Sequence, residues 1–381
     1  MAQTEDHIPF LDHLRGFAIA SVFAYHSLGA SFGKDGLKWD GWFRNFHEAH
    51  SFLVLLPVVL GWGGVAIFFV VSGFCIHLSH ERARRKDLNI FFSRRFFRIY
   101  PPYFVALIFF AFLFPFSRLG WNSFHSFAQL GSHVFLIHNF NGRSIFGINA
   151  AFWSIAVEVQ LYLLYPLLLL GVRRWGWRNA LWFTGVLEIT LRTVAGIFCL
   201  RQEEPLHGWF FGSPFFYWFS WSIGAKLADD WLYGRPFFLR KCPVWIWVVL
   251  VIVSYLIRPL APFCFLFVAL STANLITYLL VHPGTRLGLP GFVRSHLRSV
   301  GVLSYSVYLL HEPLILIVPW AMGKAFPGGY LNPAVTFVIC LASWPLVLLL
   351  SWLFYRVVEL PSISAGKWFV RSKLSALPGN K

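Results

Sequence analysis

The chain has 381 residues, of which 57% are hydrophobic, 19% aromatic and only 13% charged. That composition excludes an ordinary soluble domain, and the apolar residues fall in runs of about twenty, enough to span a bilayer as a helix. The formal net charge of +16 would suit nucleic acid, but the Lys and Arg sit in short loops between apolar runs, which points to membrane topology and to no nucleic-acid partner.

Read in order, the chain predicts an all-α, polytopic transmembrane bundle of about ten spans, at 8–29, 52–79, 100–117, 151–171, 179–199, 208–228, 243–257, 260–281, 300–320 and 333–356. With the N-terminus in the cytoplasm, alternate loops hold roughly 22 basic residues against 8, which places both termini on the cytoplasmic side of an inner (cytoplasmic) membrane. No removable signal peptide is expected, because the start lacks a basic n-region and a small-residue cleavage site. Residues 1–360 read as one transmembrane domain and 361–381 as a short basic cytoplasmic tail. The stretch 123–149 is apolar but broken by His125, Gln129, His133 and His138, and it reads as a re-entrant or interfacial helix. Cysteines at 75, 199, 242, 264 and 340 form neither a disulfide framework nor a metal spacing. His47 and His50 do not have the i, i+4 spacing of a zinc helix, and no metal site is expected.

Residues 8–27, IPFLDHLRGFAIASVFAYHS, organise the rest. Asp12 and Arg15 open the first span and His26 lies inside it. Ionisable groups within a membrane are costly and mark function. Eleven residues make about three turns and roughly 16 Å of rise, so Arg15 and His26 share a face at different depths.

Four further stretches carry polar groups. In FFVVSGF, Ser72 and Gly73 allow close approach by a helix or a ligand, and packing alone explains them equally well. In FSRRFFRIYPPY, Arg95 and Arg98 are one turn apart before a Pro-Pro pair that marks a helix boundary or kink. Each arginine alone reads as a positive-inside anchor, whereas all three together favour a phosphate site. In FWSIAVEVQLY, Glu158 follows Trp153 and Ser154 near the outer end of its span, where it would orient or charge-stabilise His26 or hold an acceptor hydroxyl. In LSYSVYLLHEP, Tyr305, His311 and Glu312 follow one another on a helix, and His311 is as readily structural as functional.

Taken in order, LDHLRGFA with its Arg15–His26 spacing, FFVVSGF, RRFFRIYPPY, FWSIAVE, SYSVYLLH and FYRVVELP resemble the acyltransferase-3 family of membrane O-acyltransferases that modify extracytoplasmic glycans. The resemblance implies that Arg15 and His26 are essential, and that Arg95, Arg98, Trp153, Ser154 and Glu158 occupy motif positions. His13, Val159 and Glu312 depart from the usual pattern, which bears on acceptor choice. The carboxy-terminal hydrolase domain carried by some relatives is absent from these 381 residues.

The resulting expectation is transfer of an acyl group, acetyl by default, from cytoplasmic acyl-CoA to a glycan hydroxyl on the outer side. His26 acts as general base with Glu158 beside it, or else carries the acyl group covalently; the sequence leaves both routes open. Arg15, Arg95 and Arg98 hold the CoA phosphates, and Asp12, Ser72, Trp153, Ser154, Tyr305 and His311 support the site or the acceptor. Acyl-CoA is a co-substrate and no tightly bound cofactor is expected; lipid and the glycan are the other partners. The competing class is a glycan transporter or flippase, which also places charges near the midplane; no inverted repeat is visible to favour it.

Overall fold

The computed structural model describes residues 8–36, 39–40, 43–44, 56–83, 86–113, 124–201, 208–285, 288–326 and 332–375. His47–His50 and the loop cations Arg84, Arg85, Arg118, Arg286 and Lys381 lie outside the described residues. Apart from two-residue antiparallel strands β1 (Trp39–Asp40) and β2 (Phe43–Arg44), the described chain is helical.

Helix α1 (Pro9–Gly36) holds Arg15 and His26 on one continuous element. A short α2 (Leu56–Val59) leads into α3 (Gly64–Glu81). Helix α4 (Leu88–Ile108) starts where the Asp87 carboxylate accepts from Asn89 N at 2.7 Å, a side-chain N-cap. The stretch read as re-entrant contributes α5 (Phe124–Val134) and a 3-10 turn. Helix α6 (Phe152–Arg201) is two helices joined at Gly176, whose φ of 76° favours glycine.

Next come α7 (Gly208–Gly212), α8 (Trp218–Leu232), α9 (Val244–Leu256) and α10 (Cys264–Val281). The last group is α11 (Gly291–Val302), α12 (Ser304–Ala325), α13 (Pro333–Ala342), α14 (Trp344–Phe354) and α15 (Leu360–Ser375).

Among the described residues, six stretches are long and apolar enough to cross a membrane. Within the described residues each of the ten predicted spans falls on helix, and the counts differ for physical reasons. Phe152–Arg201 contains two predicted spans, while the helices α1, α8 and α9 are too polar or too short to qualify. At 1.5 Å per residue α9 is about 20 Å long, short of a 30 Å hydrocarbon core.

Proline placement overturns one expectation. Pro101 and Pro102 lie inside α4 and do not end it, so the span predicted from 100 begins at Leu88. Proline at 101 removes the donor for the Phe97 carbonyl. Ser362 Oγ of α15 donates to that carbonyl at 2.5 Å, and the Phe97 and Phe369 rings pack 5.6 Å apart. Residues 361–375, assigned from sequence to a tail, are therefore helical and lie on α4. Pro313 in α12 likewise strands the Leu309 carbonyl, which accepts from Asn149 Nδ2 at 2.9 Å.

Two glycines explain how α3 and α8 meet. A Cβ at Gly73 would collide with the Trp221 carbonyl oxygen, and one at Gly224 with that of Val70. Their backbones touch at a depth that only glycine permits. The Ser72–Gly73 pair thus serves both readings: Gly73 packs, and Ser72 faces the site described below.

A second lock sits in the other half of α6. Arg192 is fully buried and donates to Glu188 Oε1 from Nε (3.0 Å) and Nη2 (2.8 Å), and to the Phe216 carbonyl (2.7 Å) and the Pro262 carbonyl. Glu188 also accepts from Ser220 N at 3.0 Å and Ser220 Oγ at 2.7 Å. Every arm has a partner, so the ion pair ties α6 to the segments before α8 and α10. Replacing Glu188 with Ala leaves a buried guanidinium without its counter-charge, which costs about 3–5 kcal/mol. Denaturation of Glu188→Ala in detergent is expected to begin well below the wild-type midpoint; an unchanged midpoint would contradict this assignment.

Candidate functional site

Helices α1, α3, α4, α6 and α12 enclose a cavity with about 810 Å³ of empty space, open solvent at its mouth included. Helical periodicity explains who lines it. Arg95 and Arg98, Ser72 and Cys75, and Tyr305 and Tyr308 are pairs three apart, and Ser154, Glu158 and Tyr162 are spaced by four, so each set shares a face. Arg15 completes the ring from α1, giving three guanidiniums against the Glu158 carboxylate among the lining residues.

The cations are held from behind. Arg15 Nη1 lies 3.1 Å from Asp12 Oδ1, and Nη2 donates to Cys75 Sγ at 3.2 Å. Arg95 Nη2 donates to Ser79 Oγ at 3.3 Å, while its buried Nε has no partner among the described residues. Arg98 lies 3.7 Å from Glu359 Oε1, a fully buried carboxylate whose Oε2 accepts from Ser306 Oγ at 2.5 Å. A guanidinium has five donors in a fork suited to phosphate oxygens, and few of those on these three arginines are taken up by the contacts described.

Glu158 does not reach His26, which corrects the expected pairing. Its Oε1 accepts from Ser72 Oγ at 2.7 Å and Tyr162 OH at 2.5 Å, and Trp221 Nε1 donates on to Ser72 Oγ at 3.3 Å. The physical reason is facing. Glu158 sits on the side of α6 turned to α3 and the arginines, so it shares their cavity and does not occupy a separate outer end.

The partner of His26 is His311, whose Nε2 is 3.0 Å from His26 Nδ1. Their ring planes are 14° apart with centroids at 4.9 Å. Neither histidine lines the cavity. Tyr308 connects the two regions: its hydroxyl is 2.6 Å from Ser154 Oγ at the cavity wall, and its ring is 5.5 Å from that of His311.

The structure therefore gathers Arg15, Arg95, Arg98, Ser72, Ser154, Glu158 and Tyr305 at one cavity and sets His26 with His311 just beyond it. Asp12 stands behind Arg15. Trp153 is not brought in; its ring packs 5.8 Å from Tyr217. Sequence reasoning missed Tyr162, Tyr308, Cys75 and Glu359. Tyr162 is four residues after Glu158 and Tyr308 three before His311, so the helical period alone would have placed both. The Glu359–Arg98 contact joins residues too far apart in sequence to be read locally.

Cys75 offers a direct check on this lining. In a variant whose other four cysteines are replaced by alanine, an anionic methanethiosulfonate is expected to label Cys75, drawn by the arginines. Labelling should slow when Arg15 and Arg98 are both changed to Gln. A Cys75 that stays unlabelled, or labels equally fast without those charges, would contradict the cavity as described.

The family described as an acyltransferase domain matches residues 8–356. The chain is 26% identical over 367 residues to the peptidoglycan O-acetyltransferase OatA of Listeria monocytogenes, covering 89% of this chain and 54% of that protein. It is also 26% identical over 357 residues to the putative peptidoglycan O-acetyltransferase YrhL of Bacillus subtilis, covering 83% and 50% respectively. Over 179 residues it is 30% identical to the acyltransferase MdmB of Streptomyces mycarofaciens, covering 46% and 42%. The chain thus spans about half the length of these relatives. No solved structure matches it. With a match across nearly its whole length, this multi-pass membrane protein belongs to the acyltransferase-3 family.

Proposed function

We propose that the chain transfers an acyl group, most simply acetyl, from cytoplasmic acyl-CoA to a glycan hydroxyl on the opposite side of the membrane. The two relatives that match more than four-fifths of this chain carry names that specify O-acetylation of peptidoglycan, which makes a peptidoglycan sugar the acceptor to try first. The observation that carries the reading is the convergence of Arg15, Arg95 and Arg98 on one cavity whose wall, at Ser154 and Tyr308, abuts the His311–His26 pair.

On this reading the arginine forks hold the phosphates of the donor. Helix α1 carries His26 about 16 Å along its axis from Arg15, within the reach of an extended pantetheine arm. The acceptor hydroxyl gives its proton to a neutral His26 as its oxygen attacks the thioester carbonyl. The tetrahedral intermediate then expels the CoA thiolate, which takes the proton from the His26 imidazolium and restores the neutral base. One hydroxyl of the hydrogen-bonded Ser154–Tyr308 pair turns to donate to the oxyanion on the way. Glu158, bonded to Ser72 and Tyr162, shapes the cavity and has no contact with the base.

The test is acetyl transfer by purified protein to peptidoglycan fragments, with thioester consumption followed in parallel. His26→Ala is expected to lower kcat by about 10²–10⁴-fold. Arg15→Ala and Arg98→Ala should each raise KM for acetyl-CoA by about 10- to 100-fold, the loss of charged hydrogen bonds, with smaller effects on kcat. Wild-type transfer by His26→Ala would reject the mechanism. If wild-type protein consumes no thioester in the presence of acceptor, the transferase reading fails.

A further inference from the structure

His311 is fully buried, and its ring nitrogens have unlike surroundings. Nδ1 lies 3.1 Å from the Val307 carbonyl oxygen and 3.0 Å from that of Tyr308, the carbonyls four and three residues back on α12. Both neighbours can only accept. Nδ1 must therefore carry the proton and donate, since a lone pair there would face two carbonyl lone pairs in a buried site.

A neutral imidazole has one N–H, so the other nitrogen of His311, Nε2, is a bare acceptor. It sits 3.0 Å from His26 Nδ1. For that contact to be a hydrogen bond, His26 Nδ1 must carry the proton. The remaining nitrogen of neutral His26, Nε2, is then a free lone pair, and no described residue hydrogen-bonds it.

We propose that His311 is a positioning residue that locks His26 in its Nδ1–H tautomer through the His26 Nδ1–His311 Nε2 contact, presenting Nε2 as the base. A histidine left to itself in water favours the opposite, Nε2–H, tautomer, in which that lone pair is lost. The backbone of α12 thus sets the protonation of a side chain on α1, with His311 as the intermediary. Its catalytic consequence rests on the reading of His26 as general base. When Nε2 takes the proton of the acceptor hydroxyl, His26 becomes an imidazolium whose Nδ1–H still donates to His311. The cation is then stabilised by a neutral partner, a role that sequence assigned to Glu158.

The test combines ring-nitrogen NMR with kinetics. Protein with 15N-labelled histidine is studied in lipid nanodiscs, and the His26 signals are assigned by their loss in His26→Ala. Wild type is expected to show a protonated Nδ1 and a bare Nε2 on His26. His311→Phe, which keeps a ring but removes the acceptor, should shift His26 toward Nε2–H and lower kcat by about 10²-fold with KM for acetyl-CoA unchanged. His311→Gln, whose side-chain oxygen can accept from Nδ1–H, should recover part of both.

An Nε2–H tautomer in the wild type overturns the proposal, and so does a His26 tautomer that is the same in His311→Phe. If the tautomer shifts as expected but kcat does not, the lock stands and the reading of His26 as base falls. Should His311→Phe fail to fold, the wild-type spectrum decides alone.

Discussion

A guanidinium and an imidazole on one membrane helix persist only if neighbouring helices supply partners for them. That constraint governs the arrangement around α1. Asp12 and Cys75 hold Arg15, and His311 holds His26, so α1 has to lie against both α3 and α12. Close approach to α11 is secured by a reciprocal pair of glycines: a side chain at Gly16 would strike the Leu297 carbonyl, and one at Gly301 the Asp12 carbonyl. The positions of the polar groups and the packing of the backbone are thus one requirement met twice.

The same constraint applies to the backbone. Prolines within α4 and α12 remove donors from helices that have no water to compensate. Ser362 and Asn149 supply the missing bonds to Phe97 and Leu309. These contacts also pin the elements that bear the site: α15 fixes the arginine-bearing turn of α4, and the start of α6 is tied to the turn of α12 that precedes His311. The π-helical turn Tyr355–Glu359, which delivers the buried Glu359 to Arg98, belongs to the same junction.

Much of this was legible in the sequence where the relation is local. The Arg15–His26 spacing on one helix, the Arg95–Arg98 pair and the Ser154–Glu158 face all follow from a 3.6-residue period, and the structure places them as that period requires. Long-range pairings carry no such signal. His26 and His311 are 285 residues apart, and nothing in the local pattern of either names the other. Glu158 was misdirected toward His26 because neither its depth relative to the arginines nor the direction of its helix face could be read from local spacing. The extent of α4 was misread for a related reason. Proline rules assume an unassisted helix, and the rescuing serine lies on an element read as a tail.

The proposed function requires a donor held by Arg15, Arg95 and Arg98 to deliver its acyl group to His26. Its most direct test is a structure of the protein with a non-transferable acetyl-CoA analogue, solved in lipid. Phosphates against Arg15, Arg95 and Arg98, with the acyl end beside Tyr308 and pointing to His26 Nε2, is the predicted result. Phosphates bound elsewhere, or an acyl end directed away from His26, would contradict it.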